Sequence, residues 1–551
     1  MRIYRIPWGV ILIILISLIP LFPLLHPGLP VTHDGQDHVA RIANFYQNLS
    51  EGNIVPRWAG NLNWGYGHPI LMFLYPFPSY AASLFHFLGF SLVDSTKLVF
   101  ALAFVASGIA MYLWIKNFLG NTAGIASAVL YMFTPYRFVD LYVRGAIGEH
   151  VAFVFPPLIL YFLLKLSKKY SYWHLLGCSI SFAGLILSHN AIAIMFLPFI
   201  ALYFLYIIYY SQNRKPLILN FLFITLVGFG LSSFFLVPAF LEGKYTLRDI
   251  VTGTEALTRF VDFKDLIYGP WSFGGTGQFS VQIGIVNWVF VFGALFVVRR
   301  LLQKEKKLFF LYIITFIYFI FSVFLMLKES EFIWETFTTL QKFQFPWRFL
   351  SVSVFSTALL GGFLFYSIKN SKLKRILLIL VVISTIGLTK DYWKAKDYLN
   401  KPESFYTGIY ESTTDTGESS PRWSVRFMEQ RPIDTIEIIE GQAKIQKLKR
   451  ISIHHQYEIE SLYSSRIKEN TLYFPGWKVY IDGKEYRGVQ FQDPNHRGLM
   501  TFKLVNGKHI VDVKFEDTKL RKIANLISLL SFGAIIVFVV LNFKFSIFNL
   551  K

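Results

Sequence analysis

The chain has 551 residues, 54% of them hydrophobic and 18% aromatic, with only 16% charged, against about 25% charged in a soluble domain. Its formal net charge of +20 would suit a nucleic-acid binder. The basic residues, however, cluster in short turns between apolar runs, which is the positive-inside pattern of a multi-pass membrane protein, so nucleic acid is excluded as a partner and the lipid bilayer is expected instead. The one cysteine, Cys178, rules out an internal disulfide and a cysteine-based metal site.

The first span is expected at 6–25, as a retained signal anchor without a small-residue cleavage site. A polar outer loop, 27–68, follows. Within it Asp37 to Leu49 reads as an amphipathic helix, with Val39, Ile42, Ala43, Tyr46 and Leu49 at helical spacing. Further apolar runs predict spans at 69–90, 95–116, 121–136, 150–167, 172–188, 190–210, 216–240, 283–300, 308–327, 346–368, 373–389 and 521–543, for about 11–13 spans in all. The turns Lys165–Lys169, Arg214–Lys215, Arg299–Lys307 and Lys372–Arg375 are assigned to the cytoplasmic side. The intervening segments then close consistently except over 69–149. There, three crossings would leave Arg144 and Glu149 on the wrong side. Either one of those segments is re-entrant or interfacial, or 137–149 returns across the membrane.

Residues 391–520 change to strand-like alternation, as in 433–439, 451–459, 477–481 and 509–515. Asp482-Gly483 and Asn506-Gly507 are hairpin signals. The expectation is a helical transmembrane module over 1–390, an extracytoplasmic β-sandwich-like domain over 391–520, and a final span with a short cytoplasmic tail over 521–551. The fold class is therefore mainly α, a polytopic transmembrane bundle carrying a β domain before its last span.

Two polar groups stand out. Thr32-His-Asp-Gly-Gln-Asp-His38, followed by Arg41, puts two carboxylates, two imidazoles and a guanidinium just after the first span. A carboxylate there can act as general base on a hydroxyl or bind a divalent cation, and Arg41 can hold a phosphate. The bland alternative is a polar loop with Asp34 capping the amphipathic helix. The second group is Arg137, Asp140, Arg144 and Glu149, charges embedded between apolar runs, which serve a site or pair with each other. His189 sits where a helix reaches the outer face; a capping role is its alternative. Arg348 begins another span, with snorkelling to headgroups as its alternative.

Taken in order, His33-Asp34 with His38 and Arg41, Pro56-Arg57-Trp58, Tyr66-Gly-His-Pro69, Arg144-Gly145 with Glu149, Ser188-His-Asn190, Phe345-Pro-Trp-Arg-Phe349, Glu418 with Pro421-Arg-Trp423, and Tyr473-Phe-Pro-Gly-Trp-Lys478 resemble the membrane proteins labelled "6-pyruvoyl-tetrahydropterin synthase-related domain", with the neighbouring YfhO-like proteins. More broadly the chain resembles GT-C-type glycosyltransferases. Pterin chemistry is not implied, because the twelve histidines are scattered and form no zinc-binding pattern.

The resemblance implies transfer of a sugar from a polyprenyl-phosphate carrier to an extracytoplasmic glycan or cell-wall acceptor, with inversion. Asp34 is the candidate catalytic base. His33, Asp37, His38, Arg41, Arg57, Arg144, Glu149, His189 and Arg348 are the candidate substrate-binding residues. No Asp-x-Asp occurs; Asp34 and Asp37 are the only candidates for a divalent cation such as Mg or Mn, and no cofactor is otherwise implied. Two other classes stay open: a lipid or polysaccharide transporter or flippase, and a non-catalytic cell-envelope scaffold.

Overall fold

The computed structural model describes residues 7–253, 255–275 and 278–548, with 543–548 described by their backbone alone. The start of the expected first span at Ile6 and the end of the expected cytoplasmic tail lie outside these residues.

Among the described residues, eight helices are long and apolar enough to cross a membrane: Trp8–Leu25, Leu92–Leu119, Ile147–Lys168, Asn190–Tyr210, Arg214–Tyr245, Lys306–Met326, Pro346–Ser367 and Lys519–Asn542. The pair Ile285–Leu295 and Val298–Lys304, bent by 46°, makes nine if it is one span. The shorter helices Asn121–Met132, Tyr172–Ser188 and Ser371–Thr389 pack within the same bundle.

The expected span at 69–90 is not one helix. It forms Ile70–Phe73 and Phe77–Phe87, with Pro76 and Pro78 at the break. Neither piece approaches the ~20 residues a crossing needs, and prolines cannot carry the hydrogen-bond ladder through the interruption.

This break resolves the parity of 69–149. Lys97 Nζ donates to the carbonyls of His26 and Gly28, so helix Leu92–Leu119 begins at the end of the bundle where the first span finishes. Lys165 and Lys168 reach the side chain and carbonyl of Asn117, which places the 165–169 turn at the opposite end. The 70–87 segment therefore does not cross, and Arg144 and Glu149 lie at the first end. The other basic turns gather opposite. Lys307 lies over the Tyr210 ring at 5.4 Å, and Tyr366 donates to Glu305 across 3.1 Å.

The sheet region begins later than expected. Strands Ala443–Ile451, His454–Ser461, Gly507–Phe515, Trp477–Ile481 and Lys484–Tyr486 form one antiparallel sheet, spatially in the order 443–451, 454–461, 507–515, 477–481, 484–486. Strands Ile436–Glu440, Ser465–Leu472 and Leu499–Leu504 form a second. Asp482-Gly483 makes the expected two-residue turn, both residues at positive φ (51° and 78°). Residues 391–435, expected within this domain, instead strap the helical module. Leu29–Pro30 pairs with Tyr398–Leu399, Tyr410 exchanges backbone hydrogen bonds with Asn61 and Trp64, and Tyr406 and Tyr410 join the bundle's core. Their aromatic side chains find apolar partners there rather than between the sheets.

The outer loop is wedged between the two parts. Trp58, Tyr66, Met72 and Phe73 pack with Tyr457, Val479, Phe502 and Val511 of the sandwich. The amphipathic helix runs Gly35–Ser50, with Val39, Ile42 and Ala43 buried as their spacing requires.

Candidate active site

The loop after the first span is held by the broken segment 135–150. His33 N–H donates to the Val143 carbonyl and Asp34 N–H to that of Arg144, at 2.9 and 2.8 Å. This segment is a short helix Pro135–Phe138, a π-helical turn Val139–Arg144, Gly145 in the left-handed region at φ 68°, and helix Ile147–Ala152. π-turns recur at functional sites. A Cβ on Gly145 would lie 2.3 Å from Thr32 Oγ1, so the close approach of the two chains requires glycine.

Asp34 stands at the N-cap position, but its carboxylate does not cap the helix. Thr32 Oγ1 takes that role, accepting from Gly35 N–H at 3.0 Å. The Asp34 side chain is exposed, and among the described residues no hydrogen bond or ion pair engages it. Its bland alternative is thus filled by a neighbour.

Arg144 lies against it, buried. Its Nη1 donates to Asp140 (2.5 Å), Glu149 (2.9 Å) and the Tyr136 hydroxyl (3.2 Å), and its guanidinium sits 4.6 Å from the Trp347 ring. Tyr136 donates to the other Glu149 oxygen at 2.5 Å. One guanidinium therefore answers two carboxylates. Arg348 Nη1 donates to the Phe343 carbonyl at 2.7 Å and to Gln344 Oε1 at 3.3 Å, and its buried Nε has no partner. Arg41 makes one weak bond, to the Asp37 carbonyl at 3.3 Å. Among the described residues, neither Arg41 nor Arg348 has a carboxylate at ion-pair distance.

These groups share one electrostatic environment. Burial raises the Tyr75 phenol, and the charges that act on it besides are Arg41, Asp34, Arg348 and Arg144. Tyr75 stacks on His189 with ring centroids 5.0 Å apart, and it lines a cleft with His38, Arg41 and Ile147. His189 Nδ1 accepts from Ile192 N–H at 3.3 Å, the capping role anticipated for it. Burial first, then Arg348, lowers its imidazole to about 3. His38 is driven well below its ordinary value by burial and then by Arg41. Both rings are neutral at physiological pH, so His189 enters the site as a hydrogen-bonding ring rather than a cation.

Asp37 accepts from the Tyr410 hydroxyl at 2.9 Å, and burial raises its carboxyl against the opposing pull of Arg41. His33 is exposed, its Nε2 3.5 Å from the Phe273 carbonyl. Arg57 is engaged elsewhere. It binds Asp517 at 3.1 Å, Asn525 at 2.8 Å and the Phe234 carbonyl at 2.9 Å, pinning the outer loop to the last helix, so its donors are committed to structure. Among the described residues no group of three or more His, Cys, Asp or Glu is arranged to hold a metal ion, and Asp34 and Asp37 supply no third ligand.

Several site residues escape the sequence reading. Glu418, on the 410–428 strap, accepts from Gln344 Nε2 at 2.7 Å; burial first, then Asp415, raises its carboxyl. The Glu418 and Phe345-Pro-Trp-Arg motifs are visible in the sequence, but their meeting is not. Tyr75 and Tyr410 carry no signal among 30 tyrosines.

The family model "6-pyruvoyl-tetrahydropterin synthase related domain; membrane protein" matches residues 71–399, more than half the chain. The chain belongs to that family. A relative, an uncharacterized protein of Lactococcus lactis subsp. cremoris (strain MG1363), is 27% identical over 308 residues, 54% of this chain and 50% of its own, so the chain spans about half the length of the curated relative it matches. Among solved structures, this family member is partly similar to the arabinofuranosyltransferase AftD from Mycobacteria (TM-score 0.45, 14% identity, 70% of this chain and 27% of that one). It is similar also to ArnT from Cupriavidus metallidurans bound to undecaprenyl phosphate (TM-score 0.40, 15% identity, 72% and 67%).

Proposed function

We propose that this protein transfers a sugar from a polyprenyl-phosphate carrier to a hydroxyl of an extracytoplasmic glycan or cell-wall acceptor. One observation carries the reading: an exposed carboxylate with no structural task, Asp34, and two guanidiniums that lack carboxylate partners, Arg41 and Arg348, all act on the same buried side chain, Tyr75. A substrate combining a hydroxyl to be deprotonated, a phosphate to be held and a lipid tail suits such a set of groups. The side follows from charge: the basic turns gather at the opposite end, which the positive-inside rule makes cytoplasmic.

In this mechanism Asp34 accepts the acceptor's hydroxyl proton as the oxygen forms its bond to the anomeric carbon. The bond from that carbon to the phosphate oxygen breaks on the opposite face, its electron pair leaving with the phosphate, so the anomeric centre inverts. Arg41 and Arg348 are fixed donors for the charge that develops on the leaving phosphate, and preorganised donors of this kind are worth about 10²–10³ in rate each. Arg144, already shared by Asp140 and Glu149, positions the loop through its carbonyl bond to Asp34 N–H. The transport alternative wants charge through several spans, whereas the buried charges here sit mainly near helix ends, in 135–150 and in the Glu242–Arg521 pair.

The test is transfer of radiolabelled sugar from a polyprenyl-phosphate donor in proteoliposomes. With an added cell-wall glycan fraction as acceptor, wild type is expected to label that glycan and Asp34→Ala to abolish labelling. Undiminished transfer by Asp34→Ala would remove Asp34 as the base.

A further inference from the structure

Beside the strap, the second sheet of the β domain carries a groove that the site itself does not use. Arg466, Val489, Gln490, Phe491, Gln492 and Asp493 line it. One lining residue, Phe491, is aromatic, and it is backed by a cluster of rings. Phe491 stacks on Tyr473 with centroids 3.6 Å apart at 10°, and Trp423 stands edge-on to both at 5.4 and 5.5 Å. Tyr245 stacks on Trp423 at 5.9 Å. All four rings are half-buried, so each retains accessible surface.

The rim is polar and fixed. Arg466 Nη2 donates to Gln490 Oε1 (3.0 Å), Asp493 Oδ2 (2.7 Å) and Thr501 Oγ1 (3.0 Å), and its Nη1 reaches Glu440 at 3.3 Å. Gln492 is exposed.

We infer that this groove is a carbohydrate-binding site. A pyranose ring presents C–H groups on one face and hydroxyls around its edge. The first packs on an aromatic plane; the second needs planar side chains that donate and accept. The groove supplies both within one wall and one rim, the combination of large apolar area and a few placed polar groups that fixes a ligand's orientation. A nucleic-acid strand would require unpaired cations, and Arg466 is neutralised by Glu440 and Asp493. A lipid tail would leave the rim unsatisfied.

The strap behind the groove is tied to the candidate active site. Trp423 shares the strap with Glu418, which binds Gln344, which in turn accepts from Arg348. The loop bearing Phe491 is locked against that strap: Gly498 N–H donates to the Phe491 carbonyl, and a Cβ on Gly498, at φ 79°, would lie 2.6 Å from Ser424. The ligand is accordingly the acceptor glycan, held so that its end reaches Asp34. This last step rests on the glycosyltransferase reading, while carbohydrate binding does not.

The experiment is titration of the full-length protein in lipid nanodiscs with cellotetraose, maltotetraose and mannotetraose, followed by calorimetry and tryptophan fluorescence. Wild type is expected to bind at least one of them. Phe491→Ala is expected to weaken that binding about tenfold and Gln492→Ala a few-fold, with Lys444→Ala, exposed on the other sheet, binding as wild type. Because Phe491→Ala risks disturbing the loop, the exposed Gln492→Ala, checked for an unchanged thermal midpoint, tests the same site independently. Absence of binding by wild type to all three, or binding by both groove variants equal to that of wild type, overturns the site. Binding intact in wild type while no sugar is ever transferred leaves the groove standing and removes the glycosyltransferase reading instead.

Discussion

Two of the charge clusters among the described residues contrast with each other. Around Arg144, one guanidinium serves two carboxylates, Asp140 and Glu149, while Arg41 and Arg348 nearby have none. In the β domain, Glu469 is fully buried and one of its oxygens accepts from Arg450 (3.0 Å), His455 (2.9 Å) and Thr471 (3.0 Å). The second cluster is centred on a single carboxylate, one oxygen of which takes the cationic and hydroxyl donors while the other has no partner. The first leaves donors over, beside an exposed carboxylate. Burying a charge is costly unless it is paired, so a fold retains unpaired cations away from water where something else supplies the negative partner. The closed cluster serves the stability of the sandwich, and the open one serves a ligand.

That contrast can be broken in four ways. The largest effect is expected at Asp34: Asp34→Asn should lower sugar transfer by about 10²–10⁴ while leaving the thermal midpoint near wild type, since the carboxylate supports nothing. Glu469→Gln should do the reverse. Removing the buried carboxylate to which Arg450, His455 and Thr471 donate costs about 1.5–3 kcal/mol, read as a lowered unfolding midpoint, with transfer per folded molecule preserved. Arg348→Gln comes next, at about 10²–10³ in turnover; retention of full turnover would mean that its free Nε faces no substrate.

The smallest effect is in the pH dependence of stability, where the two regions carry opposite signs. Glu418 and Asp37 are raised, first by burial. Their contribution is full below the ordinary carboxylate value and is lost as pH rises through the raised one. Glu418→Gln should therefore match wild type in acid and exceed it slightly at neutral pH. Burial works against Glu469 too, but His455 and Arg450 hold it below its ordinary value, so its contribution is lost as pH falls. Burial lowers His455, and keeping that ring neutral in the fold becomes increasingly costly below its ordinary value of 6.5. Unfolding curves from about pH 4 to 8, the range in which carboxylates and imidazoles titrate, on the wild type and on Glu469→Gln would show whether the sandwich is the acid-sensitive half.

Much of the architecture could be read from periodicity. Long apolar runs, the basic turns and the Asp482-Gly483 hairpin are local signals with local causes. The reading failed where a local signal competed with proline. The 69–90 run is apolar enough to cross, yet Pro76 and Pro78 divide it, and the parity that refused to close was the trace of that error. It also failed at 391–435, where strand-like residues are claimed by the helical module through Tyr406 and Tyr410. In the site, Asp34, Arg41, Arg144, Glu149, His189 and Arg348 could be singled out one by one. Arg57, of the same type and in the same loop, stood out on equal grounds and is committed to Asp517 and Asn525.

The amino-acid sequence alone determined that this chain is a membrane protein with a sheet domain before its last helix, and which charged residues are too costly to bury without a purpose. Only the tertiary structure decided which of them meet. Thr32 rather than Asp34 caps the helix, Arg57 pairs with Asp517, and Glu418 reaches Gln344 from a distant strap. Hydropathy is a sum over neighbours in sequence, whereas a hydrogen bond or an ion pair depends on a few ångströms between residues that are hundreds apart.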